Sequence, residues 1–272
     1  MWRLALTRRW LGMLAFTALF AVGCWGLSQW QFARRAEAQA AIRMLNANYD
    51  QSPVPLSALV PTTGSYSAGE KWRPVTITGE YWAGGIVYVR NRPTELGIGF
   101  EQLVPLTTTD GTTFIVDRGW VAANGDNSLP VHPPAIPAGT VTVVARLIPG
   151  EEPIAGRSAP AGQIATIDLA ALNGRDGGNG PERVVTGWYG KLVSESPSAP
   201  TGTPWQRPVL DEGPHLSYAL QWWVFALMGF IGYGWALRKE ARGDVAPPPK
   251  PVRRRPSDED IEDAALDAMR AR

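Results

Sequence analysis

PHLSYALQWWVFALMGFIGYGWALRKE, residues 214–240, decides how this chain is read. Between His215 and Leu237 no residue carries a fixed charge, and the run exceeds the about 20 apolar residues that a helix needs to cross a bilayer. Asp211 and Glu212 precede it, whereas Arg238, Lys239 and Arg242 follow it. Cations beside a spanning helix stay on the cytoplasmic side, so the C-terminal end is expected inside the cell. Trp222, Trp223, Tyr233 and Trp235 can supply interfacial anchors. GFIGYG, residues 229–234, has the look of a phosphate loop but lies inside an apolar helix. Its small residues, together with Gly12, Gly23 and Gly26, are expected instead to let two spans pack closely.

The second span lies at the other end of the sequence. After a basic start carrying Arg3, Arg8 and Arg9, the run WLGMLAFTALFAVGCWGLSQW, residues 10–30, has no charge. A secretory signal has an apolar region of only about 7 to 15 residues, and a lipidated Cys24 would require cleavage inside a run that continues through Trp25 and Leu27. The reading is therefore an uncleaved anchor. Two crossings put both termini in the cytoplasm and define the expected organisation. Residues 1–9 are a cytoplasmic N-terminus, 10–30 the first transmembrane helix, and 31–213 an extracytoplasmic stalk helix with a β domain. Residues 214–237 form the second transmembrane helix, and 238–272 a cytoplasmic proline-rich linker with an acidic tail.

Between the spans the pattern changes. QFARRAEAQAAIRMLNAN is made of strong helix formers and should extend the first helix to about Asn46, before Pro53 and Pro55. VTITGEYW, GIVYVR, GFEQLVPLT, TTFIVDRGWV, TVTVVARLI and VVTGWYGKLV then follow as short alternating or apolar runs punctuated by Gly, Pro, Asp and Asn. They predict one mainly antiparallel, small barrel-like β domain with minor helices. Asp110 and Gly111 predict a hairpin turn. In IDLAALNG, Asp168 is the expected cap and Gly174 the stop of a short helix, followed by a glycine-rich loop. Ser257 and Asp260 can cap a tail helix that is too short to be stable alone.

Composition excludes several functions. A net charge of +1 over 272 residues gives no basic surface for nucleic acid. One cysteine, Cys24, permits neither an intramolecular disulfide nor a CxxC pair, and two histidines, His132 and His215, cannot build a poly-His cage. Copper delivery would need thiolates, methionines or several imidazoles outside the membrane, and no activated nucleophile or acid–base pair stands out. No catalytic residue and no metal site are expected, apart from an iron at His215.

His215 stands at the outer mouth of the second span. Helical spacing puts it on one face with Tyr218, Ala219 and Trp222, where a flat apolar molecule could lie against aromatic rings with an imidazole nitrogen reaching its iron. The alternative is a histidine that caps the helix or meets water. Arg118 in DRGWV offers a guanidinium fork for a carboxylate such as a heme propionate, or else forms a local ion pair with Trp120 packed beneath. Arg90 and Arg92 invite the same two readings, and His132, in VHPPAIP, is expected to be exposed.

The N-terminal span, GEYW, VRNR, GFEQLVPLT, RGWV at residues 118–121 and HLSYALQWW at 215–223 together resemble the surfeit locus protein family, the cytochrome c oxidase biogenesis factors. The resemblance runs from Trp10 to about Lys239. It implies a non-enzymatic assembly factor that assists insertion of heme a into the catalytic subunit of the oxidase, or stabilises that subunit, at the outer membrane face. His215 maps onto the family histidine implicated in heme a binding, with Tyr218, Trp222 and Arg118 as candidate contacts. The implied partners are oxidase subunits, chiefly the heme-bearing one, and the lipid bilayer. The start of the chain, without a mitochondrial-type leader before Trp10, points to a bacterial plasma membrane. A permanent accessory subunit of the oxidase or of a respiratory supercomplex, without heme contact, is the alternative.

Overall fold

A computed structural model describes residues 2–125, 128–129, 132–173, 183–243, 267 and 269. In chain order the elements are α1 (Trp2–Ala5), α2 (Arg8–Asn48), β1 (Val54–Pro55), α3 (Leu56–Leu59), β2 (Pro74–Tyr81), β3 (Val87–Thr94) and β4 (Gly97–Thr108). They continue with β5 (Thr113–Ala122), β6 (Thr140–Pro149), β7 (Gln163–Ile164), α4 (Leu169–Leu172), β8 (Trp188–Ser196) and α5 (His215–Ala241). The chain forms two compact units: Met1–Arg34 with Pro214–Arg272, and Arg35–Gly213.

In the first unit α5 and the N-terminal part of α2 are both long and apolar enough to cross a membrane. They pack antiparallel, since Trp10 meets Tyr233 edge-on at 5.5 Å and Gln31 meets His215 at 2.8 Å. On α2 the wholly or partly buried positions between Thr17 and Gln31 are Thr17, Ala21, Cys24, Ser28 and Gln31; on α5 they include His215, Ala219, Trp222, Ala226, Gly229 and Tyr233. Steps of four and three residues average 3.5, the period of a left-handed helix pair whose side chains interlock. Small residues along this seam let the backbones approach. The glycines expected to do so mostly do not: a Cβ at Gly12, Gly23, Gly26, Gly232 or Gly234 would meet nothing within 4 Å, and only Gly229 lies against Phe20 and Thr17. They fall off the 3.5-residue register, and alanine, cysteine and serine take their place. Arg9 pairs with Glu240 at 3.2 Å across the end opposite Gln31 and His215.

The second unit is the β domain. Hydrogen-bonded neighbours run β2–β6–β8–β5–β4, and β4 returns to β2 through Gly79↔Thr108, Glu80↔Thr107 and Tyr81↔Leu106, which closes a small barrel. β3 lies beside the first half of β4 on the same edge that β2 takes at the second half. Pairing is antiparallel except for β1–β2, β3–β7 and β5–β8. Closure brings backbone so near Gly79 that a Cβ there would collide with the carbonyl of Thr107, so glycine is required where β2 meets β4.

Alternation along β2 sends Val75, Ile77 and Gly79 inward and leaves Thr78 and Glu80 outside. They join Leu106, Phe114, Val116, Val143 and Trp188 in the barrel core. β5 is buried on both faces, because Ile115 points outward into a second cluster with Leu103, Ile148, Ile167, Leu169 and Leu172. α4 supplies part of that cover. Its Asp168 cap accepts from Ala170 N at 3.1 Å and Ala171 N at 3.2 Å. The stop expected at Gly174, the glycine-rich loop after it, and the proline-rich linker and tail helix lie outside the described residues, save Asp267 and Met269. The hairpin at Asp110 and Gly111 forms as expected, with Gly111 at φ +79° and the Asp110 carboxylate accepting from Thr108 and from Thr112 N–H at 3.3 Å.

Beyond β8, the stretch 197–205 runs back over the edge of β5, where Trp120 and Thr203 exchange backbone hydrogen bonds at 3.0 and 2.7 Å. Gly119 sits at φ +112°, and a Cβ on it would lie 2.7 Å from Thr203 O. Gly119→Ala therefore combines backbone strain with a clash, and is expected to cost about 2 kcal/mol or more of domain stability, read as a lowered urea midpoint of the full-length protein.

Candidate functional site

His215 is the first residue of α5, after Pro214 at the cap, and Pro214 O accepts the Tyr218 N–H at 3.1 Å. Its ring is half-buried, with Nδ1 2.8 Å from Gln31 Oε1, and Nε2 makes no hydrogen bond among the described residues. Ala219, one turn on, is fully buried. The face that His215 shares with Ala219 is thus already occupied by α2, and a planar ligand cannot lie there. The aromatic surface that remains is the flank of the seam, reached through Tyr218, Trp222 and Phe225. Tyr218 is 48% exposed, and Trp222 meets Phe225 edge-on at 5.7 Å. His215, Tyr218 and Trp222 are therefore brought together on one helix, with the histidine at the edge of a partly open aromatic strip. His132 is exposed, as expected.

Arg118 belongs to the β domain and is wholly buried. Neighbouring residues of a strand point to opposite faces, so Arg118 follows Phe114 and Val116 to the interior and cannot pair with Asp117. Its partner is Glu195 on β8, with Nη2 2.5 Å from Oε1 and Nε 3.1 Å from Oε2. Nη1 donates to Gln102 Oε1 at 3.4 Å and Ala135 O at 3.0 Å, and Nη2 also donates to Pro200 O at 3.3 Å. All five N–H groups of the guanidinium are taken. The local ion pair expected at DRGWV is thus replaced by a long-range one, and no donor is left for a propionate or any other outside carboxylate. Tyr81 donates to Glu195 Oε2 at 2.9 Å, and burial, then the Glu195 charge, raises its hydroxyl far above the usual range, so it remains a donor. Gln102 donates to Tyr88 Oη at 3.2 Å and Pro134 O at 2.8 Å, which ties the loop before β6 to the same network.

The opposite face of β5 carries a second charged group. Asp117 is fully buried, and its Oδ1 accepts the Gly119 N–H at 3.0 Å; Oδ2 completes no aligned hydrogen bond among the described residues, although the Trp205 side chain lies near enough to favour the carboxylate. Glu101 is nearly as buried, and Arg92 Nε lies 3.2 Å from its Oε2 without the alignment of a hydrogen bond. Arg92 is anchored to Glu151 at 2.6 Å, and Glu151 also accepts the Ile167 N–H at 3.0 Å. Lys191, level with Asp117 in the β5–β8 pairing, places Nζ 3.4 Å from the centre of the Trp205 ring. Arg90 is half-buried, and no ion pair of its own is found among the described residues. No group of three or more His, Cys, Asp or Glu side chains is arranged for a metal ion among the described residues.

Residues of these clusters that sequence reasoning missed include Gln31, Glu195, Tyr81 and Gln102, as well as Glu101, Glu151 and Lys191. Gln31 was detectable in principle, as a lone amide in register with the apolar seam. Glu195 was not, because it lies 77 positions from Arg118 and nothing in its neighbourhood marks it.

Two measurements check the buried charges. Arg118→Ala leaves Glu195 buried and unpaired, at an expected cost of about 3–5 kcal/mol in urea unfolding, and Glu195→Gln in the same chain should recover part of it. Burial first, and Glu101 second, raise the Asp117 carboxyl from its usual value to about 7. The folded domain then holds a proton that the unfolded chain releases near pH 4, so stability falls as pH rises from about 4 to about 7 and stays low above that. Asp117→Asn is expected to flatten this slope, so that its urea midpoint exceeds that of the wild type at pH 8.

The SURF1 family model matches residues 18–227. A protein of Mycobacterium bovis named as an uncharacterized SURF1-like protein is 32% identical over 260 residues, covering 89% of this chain and 91% of its own. One from Mycobacterium tuberculosis with the same kind of name matches to the same extent. With the family model covering residues 18–227 and the relatives 32% identical over 89% of the chain, the chain belongs to the SURF1 family.

Proposed function

We propose that this protein is a non-enzymatic assembly factor for heme–copper cytochrome c oxidase, which holds heme a, or the catalytic subunit receiving it, at the outer face of a bacterial plasma membrane. Family membership supports the oxidase as the client. The observation that carries the heme reading is His215: a half-buried imidazole at the mouth of an apolar helix pair, with one ring nitrogen engaged by Gln31 and the other open. Tyr218, Trp222 and Phe225 provide the apolar, aromatic flank that a porphyrin face requires. The residues present therefore fit a heme. Bound there, the group would supply an iron for the imidazole, while the chain's own residues hold the ring, cover one porphyrin face and limit water. Arg118 has no part in this, since its donors are spent inside the β domain.

The charge asymmetry of α5 supports the orientation, with Arg238 and Lys239 in its last turn and His215 at the far end. The client subunit is met on that far side, and the bilayer surrounds the helix pair.

His215→Ala is the test. In cells that make heme a, the variant is expected at normal abundance with less co-purified heme a and a weakened oxidase spectrum. Unchanged heme content together with an unchanged oxidase spectrum removes the ligand role. Stoichiometric retention in the mature oxidase, indifferent to the loss of His215, identifies a permanent accessory subunit instead.

A further inference from the structure

We infer that Gln31 is a positioning residue that fixes the His215 ring as the tautomer protonated on Nδ1 and so presents Nε2 as the ligating atom. The inference rests on the ligand reading of His215 given above, and specifies which atom of that side chain acts and what sets it. An amide oxygen only accepts, so the ring nitrogen 2.8 Å from Gln31 Oε1 is the one that carries the proton. The lone pair then belongs to Nε2, which has no hydrogen bond among the described residues. An imidazole that ligates a metal through one nitrogen commonly donates from the other to an oxygen, which fixes the ring's rotation and makes the ligating nitrogen more basic.

The position of Gln31 explains why it can do this. It continues the buried register of Cys24 and Ser28 by one step, so its side chain is delivered to the helix pair's seam rather than to its outer surface. His215 begins the matching register on α5, one turn before Ala219. The fully buried Ala219 and Ser28 hold the two backbones close just inside the mouth, which leaves the amide and the imidazole facing each other. An apolar side chain at position 31 would offer no acceptor. In a neutral histidine side chain free in water the proton favours Nε2, so the contact reverses the intrinsic preference of the ring.

The experiment uses the full-length protein in lipid nanodiscs, with 15N-labelled histidine, and hemin as the probe. Nitrogen chemical shifts of His215, assigned by its loss in His215→Ala, are expected to report Nδ1–H in the wild type and in Gln31→Glu, and Nε2–H in Gln31→Leu. Hemin affinity is expected to fall roughly tenfold in Gln31→Leu. Gln31→Glu should retain affinity and lower the midpoint potential of the bound heme, because a carboxylate makes the imidazole more basic. A wild-type ring protonated on Nε2, or a tautomer indifferent to Gln31→Leu, overturns the inference. Hemin binding that needs His215 but is unchanged in Gln31→Leu overturns it while sparing the ligand reading; hemin binding unchanged in His215→Ala overturns both. Helical content compared across the variants shows whether a loss reflects the ring or an unfolded pair, and rescue by Gln31→Glu marks positioning.

Discussion

The segments that enter and leave the β domain are tied to each other inside that unit, and its closed sheet depends on where they meet. Within the domain unit Arg35 Nε lies 3.2 Å from Glu212 Oε2, and Gln39 Nε2 donates to Glu212 Oε1 at 3.1 Å. Arg207 bonds Asn46 at 2.7 Å and pairs with Asp50 at 2.5 Å, so the stretch returning from β8 is laced to the end of α2. These contacts are largely exposed and individually weak. Their importance is geometric: two segments about 175 residues apart in sequence run side by side. A closed barrel makes this possible, since a ring of strands can begin and end at neighbouring points without leaving an open edge.

Inside the barrel the charges divide labour by face. The inward side of β5 carries Arg118, which spends every donor on Glu195, Gln102 and the carbonyls of residues 135 and 200, and so pins two loops and two strands, β4 and β8, to one point. The outward side carries Asp117 with Glu101, a carboxylate pair only partly compensated by Arg92 and Lys191. A fully satisfied ion pair next to an incompletely satisfied acid is a costly arrangement for a small domain. The first ties strands and loops together at one point; the second is where a pH dependence of stability is expected.

The helix pair follows the same logic with different materials. Without a hydrophobic drive between helices in lipid, association relies on close fit and on polar contacts at the ends. Ala21, Cys24, Ser28, Ala219 and Ala226 provide the fit. Arg9 with Glu240 at one end, and Gln31 with His215 at the other, provide the contacts. The Gln31 contact holds the His215 ring in one orientation at the mouth of the pair.

Much was legible in one dimension. Uncharged runs of sufficient length predicted both apolar helices, because the cost of exposing backbone to lipid depends on local composition alone. Alternation and turn residues located the six main strands, Asp168 as a cap and the Asp110–Gly111 turn, since these depend on residues a few positions apart. His215 and its aromatic neighbours on α5 were visible through helical spacing. What only the tertiary structure decided was who meets whom across distance: Glu195 rather than Asp117 as the partner of Arg118, parallel pairing of β5 with β8, alanines rather than glycines in the seam, and Gln31 against His215. Register between segments far apart in the chain is set by packing of the whole, where each contact is selected jointly with the others, and no local pattern of residues encodes it.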